Sequence, residues 1–166
     1  MFDELLAANR EYASHFALAG IAASAAKGFA VVTCMDSRIE PLTTLGLRPG
    51  DAKILRNAGG RVTADVLRSL ALATGLLGVT KVAVMHHTDC ALGGRDDADL
   101  RARLDPEQAR RAQAWHFLAM PDADAALAAD VQAVRDCPVL AGGIAVEGWR
   151  YDVRTGLVDR VIADDG

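Results

Sequence analysis

Phe29-Ala30-Val31-Val32-Thr33-Cys34-Met35-Asp36-Ser37-Arg38 is the stretch on which the reading of this chain turns. Gly28 opens it, and an uncharged, largely β-branched run follows up to Cys34. A run this short and this apolar, bounded by turn chemistry, predicts a strand buried on both faces, which is the signature of a parallel sheet. It ends abruptly in a thiol, a carboxylate and a guanidinium. The same transition recurs in Lys81-Val82-Ala83-Val84-Met85, which runs into His86-His87-Thr88-Asp89-Cys90.

Between these two runs, a loop passes through Pro41 and the turn Arg48-Pro49-Gly50-Asp51. Ala52-Lys53-Ile54-Leu55-Arg56 then reads as a further strand, entering Asn57-Ala58-Gly59-Gly60. From Thr63 to Leu77, the residues Val66, Leu67, Leu70, Leu72, Leu76 and Leu77 fall in helical register, and Gly78 stops the helix. Strand, helix, strand repeating in this way predicts an α/β fold, a mainly parallel β-sheet flanked by helices.

Outward from this centre, Phe2, Leu5, Leu6, Tyr12 and Phe16 are spaced as on an amphipathic N-terminal helix reaching to about residue 18. Residues 97 to 135 are rich in Ala, Arg and Asp and accommodate two or three helices, with Pro106 and Pro121 near their starts. In the tail, residues 139–146 read as a strand, and residues 149–153 before Thr155-Gly156 read as a C-terminal hairpin. No linker, repeat or low-complexity tract interrupts residues 1–166, so one domain is expected, with residues 1–18 as a helical arm.

Composition narrows the function. Half of the residues are hydrophobic (51%) and 24% are charged, the balance of a globular protein. A net charge of -4 supplies no basic stripe to release counterions from a phosphate backbone, so no nucleic-acid partner is expected. Acid at Asp3 and Glu4 stands where a secretory signal carries base, and no apolar run approaches the ~20 residues of a membrane span. The expectation is a cytoplasmic protein with a small-molecule substrate and no membrane partner. Three cysteines suit reduced thiols acting as ligands better than a disulfide framework.

The chemistry gathers at the strand ends, where ligands bind in open α/β sheets. Zinc favours thiolate and imidazole donors, and a catalytic site supplies three of them while keeping a fourth position open. Cys34 from one strand, with His87 and Cys90 from another, gives that count. Taken singly, each has an ordinary reading, since a cysteine after a strand is commonly a small buried hydrophobe. Cys137, before Pro138, belongs to no pairing motif that would add it as a fourth ligand closing a structural site. Asp36 and Arg38 are spaced to form a charge-assisted pair beside Cys34. The carboxylate then either accepts a hydrogen bond from a reacting water or becomes the fourth ligand. Strand alternation turns His86 away from His87, towards a core or interface role. His15 and His116 sit in polar helical contexts that suit solvent. Gly59 and Gly60 either permit close backbone approach to a ligand or make a plain turn.

Through Cys34-x-Asp36-Ser37-Arg38, Arg56-Asn57-Ala58-Gly59, Ser69-Leu70, Leu77-Gly78-Val79 and His87-Thr88-Asp89-Cys90, in that order, the sequence resembles the β-carbonic anhydrases, the short bacterial type above all. The resemblance covers roughly residues 29 to 90 and resumes over 142 to 156. It implies zinc held by Cys34, His87 and Cys90, an Asp36 and Arg38 dyad beside the fourth position, and reversible hydration of carbon dioxide to bicarbonate. It also implies a homodimer or a multiple of it, with the N-terminal helix reaching a neighbour. Ala91 departs from the glycine usual in the family after the second cysteine, and a methyl group there either narrows the site or shifts the backbone after the ligand. Hydrolysis of an analogue such as carbon disulfide, and a non-catalytic zinc or redox sensor, are the alternatives.

Overall fold

In the computed structural model, which describes residues 2–164, the chain runs α1 (Asp3–Ser14), β1 (Phe29–Cys34), α2 (Pro41–Thr44), β2 (Ala52–Asn57), a 3-10 turn (Ala58–Gly60), α3 (Ala64–Leu76) and β3 (Lys81–His87). It continues through α4 (Asp97–Ala102), α5 (Pro106–Arg111), α6 (Ala123–Arg135), β4 (Ala145–Tyr151) and β5 (Val158–Ile162). The five strands form one sheet in the order β2-β1-β3-β4-β5. All pairings are parallel except that of β4 with β5, the C-terminal hairpin. This is the α/β, mainly parallel architecture expected from the sequence.

The apolar runs behave as buried parallel strands do. From Ala30 to Cys34, and from Val82 to His87, every residue is buried. Alternation sorts their side chains onto two faces. Ala30, Val32, Val82, Val84 and Val146 face α3 and α6 and pack with Val66, Leu70, Leu127, Val131 and Val134. Val31, Met85 and Tyr151 point the other way, joined by Ile39, Cys34, Cys90 and Met120. Thr63 caps α3 by accepting from the Val66 amide, and Gly78, at φ 72, ends the helix as its spacing predicts.

Four sequence readings need correction. The N-terminal helix stops at Ser14, four residues short of the expected boundary, and buries nothing within the chain: Phe2, Leu5, Leu6 and Tyr12 are all more than half exposed. Residues 139–144 are not strand. Gly142-Gly143, the latter at φ 74, bend the chain there, and the strand begins only at Ala145. On α3, Leu72 and Leu76 share the helical period but point to solvent, Leu76 being 76% exposed. Pro41, read as loop, starts the four-residue helix α2.

Strand order positions the site. The chain leaves β1 for β2 on one side and returns to β3 on the other, so the connections diverge at the carboxyl ends of β1 and β3. Such a switch point opens a crevice in which α/β proteins bind ligands.

Candidate metal centre

Cys34 is the last residue of β1, His87 the last of β3, and Cys90 lies in the turn that follows. All three are buried, and their ligand atoms lie within 4.8 Å of one another. The three donors singled out in the sequence are therefore brought together across the crevice. Cys137 is not among them.

The surroundings are those of a cation site. His87 Nδ1 lies 2.9 Å from the Thr88 carbonyl oxygen, which assigns the ring proton to that nitrogen. Nε2 is then a lone-pair donor, and it is buried without any hydrogen-bond partner. A buried, unsatisfied imidazole nitrogen is costly unless something electrophilic meets it. The Cys34 thiol is held below its ordinary range by the Cys90 side chain that hydrogen-bonds to it, then by His87 and by the Asp36 and Gly59 amides, against the opposing effect of burial. The Cys90 thiol is pushed up by the same contact with Cys34 and by burial. Two sulfurs and an imidazole nitrogen this close together are a donor set that fits a metal ion.

Local sequence builds the cradle. The Asn57 carbonyl accepts from the Met35 amide, while Arg56 donates to the carbonyls of Cys34 (3.1 Å) and Asp36 (2.7 Å), pinning the loop after β1. Gly60, at φ 69, lets the 3-10 turn touch the backbone of Thr33 and Cys34. The glycine pair forms a turn, one of its two readings, and the close approach made by Gly60 is to the chain's own β1 backbone.

Asp36 and Arg38 form the expected pair with more contacts than their spacing alone suggests. Arg38 Nε donates to Asp36 Oδ1 at 3.0 Å and Nη2 to Oδ2 at 2.8 Å, while the Arg38 amide also donates to Oδ1 at 2.9 Å. The guanidinium beside it holds the Asp36 carboxyl well below the usual carboxylate range. Asp36 Oδ2 sits 3.9 Å from His87 Nε2, so the clamped carboxylate borders the donor cluster. Arg38 is fixed in turn by Asp89, whose Oδ2 accepts from Nη1 at 2.8 Å and whose carbonyl accepts from Nη2 at 3.0 Å. Asp89, at φ 55, escaped sequence reasoning, although its place between His87 and Cys90 was a usable signal.

A cleft of about 450 Å³ opens here between Cys34, Asp36, Arg38, Ala58, Cys90 and Ala91. A second, of about 510 Å³, shares Asp36, Arg38 and Ala91 and is walled by Leu92, Leu100, Leu104 and Phe117. The Ala91 methyl borders both.

The carbonic anhydrase family profile matches residues 29–115, a little over half of the chain. Over 96% of both chains, the sequence is 34% identical to β-carbonic anhydrase 1 of Mycobacterium tuberculosis. This chain belongs to the β-carbonic anhydrase family. The fold agrees with the crystal structure of the carbonic anhydrase from Streptococcus mutans at a TM-score of 0.85, with 38% identity and 96% of each chain covered. A shorter stretch of 62 residues is 48% identical to the carbon disulfide hydrolase of Saccharolobus solfataricus, covering 37% of this chain and 30% of that one.

The remaining histidines divide as alternation requires. His86 faces away from His87 and is 3% exposed, with Nε2 3.1 Å from Asp130 Oδ2 on α6. The side chains of His15 and His116 are 77% and 88% exposed.

Proposed function

We propose that this carbonic anhydrase family member catalyses the zinc-dependent, reversible hydration of carbon dioxide to bicarbonate and a proton. Cys34, His87 and Cys90 would hold the ion, since two thiolates and an imidazole are donors that suit zinc and leave a fourth position open. Bound there, zinc supplies the Lewis acidity that activates water near neutral pH, chemistry best worked out for carbonic anhydrases with three histidine ligands. The observation that carries the reading is the Asp36 and Arg38 clamp against the donor cluster. An ionised Asp36 can only accept hydrogen bonds, so its Oδ2 orients a water rather than an aprotic ligand. Ala58, Ala91 and Leu92 give the uncharged substrate an apolar wall beside that water. Stopped-flow measurement of carbon dioxide hydration, with zinc content determined on the same sample, tests the proposal directly.

About one zinc per chain is expected by elemental analysis, because only one group of donors this close occurs among the described residues. Stripping it with a chelator is expected to lower the melting temperature, since an ion that binds only the folded chain stabilises it by mass action. Zinc-free protein from chelator-free purification, or an unchanged melting temperature after stripping, contradicts the assignment.

Carbon disulfide is the second reading, favoured by the local 48% match and by the Ala91 methyl in the cleft. Full-length similarity favours carbon dioxide. The ratio of turnover on the two substrates separates them. A sensor has no use for the doubly fixed arginine.

We also infer a homodimer or a multiple of it, each chain one domain with the N-terminal helix as an arm. Phe2, Leu5, Leu6 and Tyr12 present an apolar face at α1 that the chain itself leaves uncovered, and Phe16 just past its end, with Leu72 and Leu76, adds to the exposed apolar surface. Light scattering at micromolar concentration is expected to give at least the dimer mass, and removal of residues 1–18 to impair assembly or solubility before zinc binding. A monomeric mass defeats this. Free thiols at all three cysteines suit a reducing cytoplasm. Among the described residues no helix is long and apolar enough to cross a membrane.

A further inference from the structure

The two strands that bring the donors together stop pairing just before they reach them. The β1–β3 ladder ends at Thr33 and Met85, after which Cys34 pairs only with β2 and His87 only with β4. A hydrogen bond of 2.8 Å from the Thr33 hydroxyl to the Met85 carbonyl closes the seam. Beyond it, no ladder sets the distance between Cys34 and His87.

A buried carboxylate on the next layer bridges that gap. Asp130 on α6 is 4% exposed and accepts from three places. Arg61 Nε reaches Oδ2 at 2.6 Å, the Val62 amide reaches Oδ1 at 3.1 Å, and His86 Nε2 lies 3.1 Å from Oδ2. Arg61 and Val62 directly follow Gly60, which packs against Cys34, while His86 directly precedes His87. Arg61 is itself tied to the Leu118 carbonyl at 2.6 Å. One side chain therefore joins the turn that cradles Cys34 to the strand that carries His87.

We propose that Asp130, through Arg61, Val62 and His86, is the positioning residue that sets the separation of the Cys34 and His87 donors. The inference rests on the metal-site reading above. An ion bound by soft, short contacts is sensitive to donor spacing, and outer partners of metal ligands commonly affect affinity or activity by about 10–100-fold when lost. Asp130→Asn keeps the shape but not the acceptor set. Its amide group must face either the Val62 amide or the Arg61 Nε and His86 pair, so at least one tie is lost whichever way it turns.

The test uses the full chain, loaded with zinc or with cobalt(II), whose visible bands report donor geometry. D130N is expected to release zinc to excess chelator about 10-fold faster or more, with shifted cobalt bands and a lower kcat per bound zinc at unchanged KM. Val134→Ala, a core change one turn further along α6, serves as the control that lowers melting temperature without moving these readouts. Should D130N not fold, Arg61→Lys, which leaves Asp130 a charge partner but not the guanidinium's other contacts, is measured in the same way. If D130N, or R61K in its place, melts as V134A does yet keeps wild-type zinc release and cobalt bands, Asp130 is merely structural and the proposal falls. A wild-type chain that takes up neither metal overturns the metal-site reading and this one with it.

Discussion

Arg38→Ala is expected to lower carbon dioxide hydration by at least about 10²-fold while zinc stays bound. The reason lies in what Arg38 restrains. It holds both oxygens of Asp36 while Asp89 braces it from the far side. Without the guanidinium, the Asp36 carboxylate loses the partner that keeps it turned aside and ionised, and becomes free to take the open position on the ion. Asp36→Ala is expected to cost a similar factor for a different reason, the loss of the acceptor that orients water. Neither change touches Cys34, His87 or Cys90, so metal content is the internal control. Hydration rates near wild type in both variants, across pH and at full zinc occupancy, would falsify the assigned roles. Asp89→Asn extends the argument: it leaves the Asp36 clamp but weakens its brace, so its defect should be smaller than that of Arg38→Ala.

Gly60→Ala is expected to damage the protein more broadly, removing zinc binding and most of the fold's stability together. A Cβ at Gly60 would stand 2.9 Å from both the Cys34 nitrogen and the Thr33 carbonyl carbon, and 3.1 Å from the Thr33 Cα. These are backbone atoms of a central strand, so no flexible side chain can swing away to relieve the clash. The positive φ of 69° adds the ordinary left-handed cost for a residue with a side chain, about 1–2 kcal/mol. With the overlap the loss belongs among the exceptional point mutations, above about 4 kcal/mol. For a chain of this length that corresponds to a fall in melting temperature of roughly 10 °C or more. Neighbouring Gly59 provides the contrast, because there the new Cβ would meet the Leu92 and Arg61 side chains, which can yield. A Gly60→Ala protein with wild-type melting and full zinc content would show that the turn does not seat Cys34 as described.

The stability of the metal-free chain also bears on the thiols. Cys34 and Cys90 set two buried sulfurs against each other, and the buried His87 Nε2 has no hydrogen-bond partner. The folded chain thus carries one unsatisfied imidazole nitrogen beside two thiols that pack with Val31, Ile39 and Met85. That is a cost the metal removes, and it is the physical basis for expecting stripped protein to melt earlier.

Much of this molecule could be read from its residues in order. The runs at residues 29–34 and 81–87 announced buried parallel strands because a strand covered on both faces has no polar side to alternate with. Cys34, His87 and Cys90 stood out because their donor chemistry is specific, and Asp36 and Arg38 because two residues of separation let their side chains meet without help from the fold. What order along the chain could not supply were the contacts whose partners lie far apart in it: Arg38 with Asp89, 51 residues on, and Asp130 with Arg61 and His86. The same limit explains the errors. Leu72 and Leu76 obey the helical period, yet which part of an apolar stripe is covered depends on what packs against it. Residues 139–144 have strand-like composition, but glycines at 142 and 143 bend freely where no neighbouring strand holds them. The sequence by itself determined the sheet, the donors and the local carboxylate–guanidinium pair, because each follows from side-chain chemistry or short-range spacing. The tertiary structure alone decided the distance between the donors and the bracing of the arginine, because these depend on strands that cease to pair at the crevice and on side chains from other layers that bridge it.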